Sequence, residues 1–259
     1  MQSSKFLHRT RFLGAIGLAL TLSAGCDDPP KRTNPFDPPP DKPKEPPRLT
    51  EPPKPTGPPH LTIDTLGPKV GFNRALLDKP EGRAQLSQEV AAARQHFEGK
   101  EAPVIVDRKA KISWVIAMID ELGKIGVTAV KVKTDTRKEF PAEITFLPPA
   151  KAASAPCSPV AMVLEDRGTA VWKIGGGTAM KRARGFAGPD LSMTQETIER
   201  IGKSCSGSSV IFVSGAEAIE WGLVYDLAGS AKTLATPKFD SVVLLPETPV
   251  PGHKVDVSS

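Results

Sequence analysis

Fourteen of the chain's 27 prolines fall between Pro29 and Pro59, and that stretch carries almost no apolar side chain besides Phe36 and Leu49. Proline removes the backbone donor that helices and sheets need, and without apolar side chains there is nothing to bury. A core can therefore form only from His60 onward. The Pro-Pro pairs favour a polyproline II path at ~3.1 Å per residue, so residues 27–59 reach on the order of 100 Å. Six bases balance six acids there. A neutral, disordered spacer follows, read as a stalk, with recognition by a partner's aromatic groove as the alternative.

Ahead of the stalk, Lys5, His8, Arg9 and Arg11 precede an apolar run from Phe12 to Leu22, then Ser23, Ala24, Gly25 and Cys26. This order is that of a bacterial export signal, and the run is shorter than the roughly 20 residues needed to span a bilayer. Cys26 after Leu22-Ser-Ala-Gly resembles a lipobox, although Leu22 stands one place early. The expectation is a lipoprotein signal over 1–25 and an acylated Cys26; the plainer alternative is cleavage near Ala24 or Gly25 with a free thiol. Without the signal's Lys and Arg residues the net charge falls from +5 to +2, so the pI near 9.1 gives no reason to expect nucleic acid as a partner.

The remainder is ordinary globular sequence. Val104-Ile-Val-Asp107 reads as a buried strand, and Ile112, Val115, Ile116, Ile119 and Leu122 recur at helical spacing up to Gly126. Val127 to Val132 is a further strand. Upstream, Leu61–Thr65 and Lys69–Phe72 flank the turn Gly67-Pro68, and Leu86, Val90, Ala93 and Phe97 mark one helix face; Ile144–Phe146 closes the unit. Pro156 to Leu245 repeats this order, with strands at Val160–Leu164, Ala170–Ile174, Val210–Val213 and Ser241–Leu245. Its helices run from a capping box at Ser192 and Gln195 through Ile198, Ile201 and Cys205, and from Glu217 to about Ala228. Val106 and Ile112 lie 107 residues before Val213 and Ile219, so the strand-to-helix step has equal length in both copies.

The expected fold class is α+β: two tandem β-β-α-β-α-β domains, each a mixed sheet with helices on one face. The divisions are 1–25 signal, 26–59 Pro-rich linker, 60–148 first domain, 149–157 linker, 158–247 divergent second domain and 248–259 tail. In the second copy Asp226 intrudes on the apolar arc of its helix.

The run from Val104 to Thr134 resembles the periplasmic domain of the ExbD/TolR biopolymer-transport proteins: a strand ending in Asp107, a five-residue step, an amphipathic helix with Asp120 before its last turns, then Gly126 and a β-branched strand. Ile112 stands where that family usually has Tyr, and in the weaker second copy Ser214 replaces the strand-ending Asp. The resemblance implies a non-catalytic component of the bacterial envelope facing the periplasm, with peptidoglycan or an envelope motor protein as partner; the expectation that it is lipid-anchored comes from the lipobox at Cys26. The resemblance also implies a homodimer or an internal pseudo-dimer. The family's proton-carrying transmembrane helix has no counterpart, because the run Phe12–Gly25 contains no acid.

Residues for catalysis do not converge in the sequence. His8, His60, His96 and His253 have no metal-ligand spacing, no cofactor is expected, and Ser206–Ser209 reads as a helix-to-strand loop. Gly175-Gly-Gly-Thr178 with Lys181 and Arg182 hints at a phosphate cradle but lacks its ending, so a turn is favoured. Asp107 is either a functional strand-end acid or a cap or partner of Arg108, the latter favoured. Trp114 and Trp221 are stacking platforms or, preferably, edge-of-core packing. Lys181, Arg182 and Arg184 form a short basic loop, solvated or touching an anionic glycan or lipid head group. The competing reading of the whole is a periplasmic hydrolase or ligand-binding protein with a concave site near Asp107 or Gly175–Lys181.

Cys157 and Cys205 are the other two cysteines of an exported chain, and stand either as a disulfide contributing roughly 2–4 kcal/mol or as buried thiols. The lipobox reading predicts that cells fed labelled fatty acid incorporate it into the chain and that Cys26→Ser abolishes the label; label retained in C26S would refute it.

Overall fold

The computed structural model describes residues 57–153, 155–186, 188–205 and 209–257. The signal, Cys26 and nearly all of the Pro-rich linker lie outside these residues. The first half runs β1 (Leu61–Asp64), β2 (Gly67–Val70), β3 (Asn73–Arg74), α1 (Gly82–Ala92), α2 (Arg94–Phe97), β4 (Glu101–Val106), α3 (Ile112–Lys124), β5 (Ala129–Lys133) and β6 (Glu143–Leu147). The second runs β7 (Pro159–Val163), β8 (Thr169–Lys173), β9 (Met180–Arg182), β10 (Arg184–Gly185), β11 (Gly188–Pro189), α4 (Leu191–Lys203), β12 (Val210–Gly215), α5 (Trp221–Lys232) and β13 (Ser241–Leu244). The class is α+β.

The sequence suggests two small sheets; the strands instead make one mixed sheet of eleven, ordered β3-β2-β1-β4-β5-β6-β13-β12-β7-β8-β9. β6 is the joint. It runs antiparallel to β5, with Phe146 opposite Val130, and parallel to β13, with Phe146 beside Val242. A strand edge left open at β5 or β13 would attract other chains, and mutual pairing through β6 closes both. Leaving β6 aside, the order reads the same from either end. β1, β4 and β5 are parallel to one another, as are β7, β12 and β13.

One face of the sheet carries the helices, where α1 packs on α3, α3 on α5 and α5 on α4. In β4, Ala102, Val104 and Val106 point to them and are buried, while Glu101 and Ile105 are exposed on the other face. That alternation marks a strand with one wet side. β7 and β12 lack it and are buried throughout. Their second cover is the chain's own end: Trp172 donates Nε1–H to the His253 carbonyl (3.0 Å), Val255 N–H reaches Ile174 (2.9 Å), and Val255 and Val257 pack on the core. The segment expected only as a tail thus closes the outer face of the second half.

Boundaries differ from the sequence reading for identifiable reasons. The apolar face Leu86–Phe97 belongs to two helices, because the chain breaks at Ala93. α4 is capped by Asp190, whose carboxylate accepts from Met193 N, and Ser192 lies inside the helix. β12 continues through Ser214 to Gly215, and α5 begins at Trp221. The spacing of equivalent elements is therefore 109 residues, from Glu101 to Val210 and from Ile112 to Trp221, and the equal five-residue step survives two positions later. Gly215 is required there. A Cβ on it would lie 2.7 Å from Val224 Cγ2 and 3.1 Å from Ile112 Cδ1, so both central helices approach the strand end only over a bare backbone. Of the family-like run, Asp120 ties α3 to α1 through Arg83 and also pairs with Lys124, and Gly126 takes φ 89° after the helix's last turn.

Tyr225, the chain's single tyrosine, reaches from α5 into the first half, its hydroxyl donating toward the carbonyls of Val132 (3.3 Å) and Pro141 (3.1 Å). Burial raises its pKa well above the ordinary tyrosine value of about 10. A raised folded-state pKa means that its contribution to stability is complete below about pH 10 and declines as pH rises further. Phenolate absorbance should appear only together with loss of near-ultraviolet circular dichroism; phenolate forming in a chain that keeps that signal would contradict the packing of Tyr225 between the halves.

Candidate functional site

The two halves meet at equivalent residues. Ile112 N–H donates to Ile219 O (3.4 Å) and Trp221 N–H to Ala110 O (2.8 Å), making an antiparallel bridge between Lys111 and Glu220. At the 109-residue spacing, Ala110 corresponds to Ile219 and Ile112 to Trp221, so the two bonds exchange roles. Trp221 is fully buried. Its Nε1–H donates to Thr134 Oγ1 (2.8 Å), and its ring packs against Phe146 (centroids 5.6 Å apart) and Tyr225 (5.7 Å). The edge-of-core reading of Trp221 understates it: this ring is the centre of the seam. Trp114 is 5% exposed, with the Lys111 ammonium 4.9 Å from its ring centroid.

A charged clamp crosses the same seam. Asp226 is 2% exposed and receives both guanidinium nitrogens of Arg108 (2.9 and 2.8 Å) and the Thr136 hydroxyl (2.6 Å), with Arg137 at 3.6 Å. Arg108 also donates to the Asp135 carbonyl (2.9 Å), and the Asp226 charge raises its pKa further. Gly222 lets α5 lie on Arg108, since a Cβ there would stand 3.0 Å from Arg108 Cβ. Arg108 therefore does not pair with Asp107. The Asp107 carboxylate closes the turn before α3 by accepting from Lys109 N (2.7 Å), and its own N–H donates to Ile63 O (2.8 Å). Ala216, which donates to Val163 O (2.9 Å), is its positional counterpart, not Ser214.

Beside this clamp the C-terminal ends of β1, β4 and β5 open into a groove of about 780 Å³, walled by the loop after β5. Ile105 and Phe140 give it apolar surface, and Asp107, Asp135, Lys133 and Lys138 give it charges of both signs. Crevices at the carboxyl ends of parallel strands are where open sheets take ligands. Asp64, also at this end, accepts both guanidinium nitrogens of Arg74, which hold its carboxyl well below the usual carboxylate range; backbone and lysine contacts add to this. It stays ionised and has no proton to give as a general acid. The groove is suited to binding an amphipathic, doubly charged group.

The other sequence candidates lie elsewhere. Lys181 and Arg182 are part of β9, the outer edge of the sheet, and Arg184 lies in β10, so they are not one loop. The N–H groups of Gly175, Gly176 and Gly177 are taken up by the carbonyls of Pro156, Lys173 and Gly252 at 2.8–2.9 Å, which removes the donors a phosphate cradle needs. A disulfide joins Cys157 and Cys205, with Cα atoms 5.4 Å apart, tying the entry to β7 to the end of α4. Ser206, Gly207 and Ser208 lie outside the described residues. Among those described, no three His, Cys, Asp or Glu side chains gather as metal ligands, and no helix is long and apolar enough to cross a membrane. Thr134, Thr136 and Phe146 have no sequence signal for a place at the seam, though Phe146 ends the strand expected to close the first unit; Asp226 has one, since a lone acid in an apolar helix arc needs a buried partner.

No family model, curated protein or solved structure matches the chain.

Removing Arg108 strands a buried carboxylate, whereas removing Asp226 frees an arginine that is one-third exposed and can turn to water. Arg108→Ala should cost about 3 kcal/mol and Asp226→Ala less, with the double variant below their sum, measured by urea unfolding. The reverse order would mean that Asp226 is satisfied without the clamp.

Proposed function

We propose that the chain is a non-catalytic cell-envelope lipoprotein whose two ExbD/TolR-like modules, arising by tandem duplication, close on each other as an internal pair. It would serve as a binding component of an envelope biopolymer-transport or cell-wall-associated system. The observation that carries this reading is the reciprocal exchange at Lys111 and Glu220: bonds that swap roles between equivalent residues are the signature of an isologous two-fold contact. A pair closed within one chain has no need of a second copy to complete it. The groove beside Asp107 supports binding over catalysis, because its charges of both signs match a short peptide with free amino and carboxyl groups, such as the wall's peptide bridges.

The test is co-sedimentation of the full chain with purified peptidoglycan sacculi. The chain should pellet with them, and charge reversal at the groove mouth, Lys133→Glu with Lys138→Glu, should release most of it without changing the circular dichroism. Equal pelleting of the reversed variant would remove the groove from the reading. Turnover of sacculi into soluble fragments would replace the adaptor by the hydrolase.

A further inference from the structure

The wall of the groove belongs to the first half in sequence and to the second in support. It is the loop joining β5 to β6, residues 134–142, which supplies half of the groove's lining. That is long for a hairpin loop, and a loop of this length keeps one conformation only where other parts of the molecule hold it. Inside it, Thr134 N–H donates to Ala142 O (3.2 Å) and Phe140 N–H to Arg137 O (3.0 Å), and Arg137 stands 3.9 Å from Glu139. Among the described residues, every further hydrogen bond or ion pair of the loop goes to α5 or to Arg108, itself held by Asp226 of α5.

Trp221 holds the Thr134 hydroxyl, Tyr225 the Pro141 carbonyl, and Asp226 the Thr136 hydroxyl. Trp221, Tyr225 and Gly229 recur every fourth residue and so share one face of α5. Gly229 completes the contact: a Cβ there would stand 3.0 Å from Phe140 Cβ and 3.2 Å from its Cγ, so the ring that gives the groove apolar surface rests on bare backbone. α5 is placed independently of the loop, because it packs on β7 and β12 of its own half. We propose that α5 is the positioning element of the groove: Tyr225, Asp226 and Gly229, none of which lines it, set the wall that the first half presents to a ligand. The groove is then a binding site only in the paired chain. This rests on the groove-binding reading and deepens it, by giving the filled half a part in the binding of the open one.

Tyr225→Phe with Gly229→Ala in the full chain loosens the wall from α5 and leaves the groove's own residues unaltered. By hydrogen exchange, the amides of 134–142 should exchange roughly tenfold faster than in the unsubstituted chain, while those of β7 and β12 keep their protection. Retention on purified sacculi should weaken roughly fivefold, since fewer molecules hold the wall in place. If the double variant does not fold, Tyr225→Phe alone, which keeps the ring, carries both measurements. Unchanged exchange of 134–142 would overturn the proposal, because the wall would then stand without α5. Exchange that rises equally in β7 and β12, the mark of a merely structural role, would overturn it too, as would a loosened wall that leaves retention intact. Exchange reads the anchor with no ligand present, so an unsubstituted chain that fails to pellet would refute the groove's proposed ligand, while faster loop exchange in the variant would still support the anchor.

Discussion

The seam at Lys111 and Glu220 is the constraint on which the rest of the structure depends. Each half ends its central strand, takes five residues to turn, and starts its central helix; the two turns face each other and satisfy one another's backbone at Ile112 and Trp221. Helix starts leave N–H groups without partners inside the helix. Here two of those groups are satisfied across the seam, which fixes the spacing of α3 and α5. Trp221, Tyr225 and Phe146 then fill the space between, and the Arg108–Asp226 clamp sits at its margin. Buried ion pairs contribute little net stability once desolvation is counted, so the aromatic packing holds the seam while the clamp, we infer, fixes its register.

The parts legible in the sequence are those governed by one local period. β4, α3 and β5 could be read because a β-branched run, a helical apolar period and a terminal Gly126 follow one another there; the wet face of β4, with Ile105 exposed, is the part that an unbroken apolar run conceals. The second half could be read only in outline. Buried on both sides, its strands are unbroken apolar runs, and such runs carry no mark of where they stop; β12 therefore continued through Ser214 and Gly215, which look like a loop. The residues that join the halves were the least legible. Thr134 and Phe146 lie 12 residues apart and Tyr225 a further 79 along the chain, and ordinary side chains acquire their roles only through pairing across the seam.

The two halves share an order of elements but not an economy of surface. In the first, the outer face stays open: Glu101 and Lys131 pair across neighbouring strands on it, and the ends of β1, β4 and β5 frame the groove. In the second, the same places are filled. Past β13, Leu245 N–H goes to Val213 and the Thr248 hydroxyl to Gly215, where a groove would otherwise begin; the chain then crosses Trp172 and reaches Ile174. The Cys157–Cys205 disulfide secures the same half.

This asymmetry bears on how an internally paired chain differs from two separate copies. Identical subunits must present the same groove twice, whereas a fused pair is free to fill one and keep the other. Closing the second groove with its own C-terminal segment adds apolar burial beneath Val255 and Val257 and leaves β7 and β12 without exposed apolar surface. The first half then keeps its mixed-charge groove on a scaffold stiffened from the other side. The far edge of the sheet ends in the short strand β9, which offers little length for pairing with another chain. A symmetric dimer of identical chains cannot depart from two equivalent grooves in this way, because every change to one site is a change to the other.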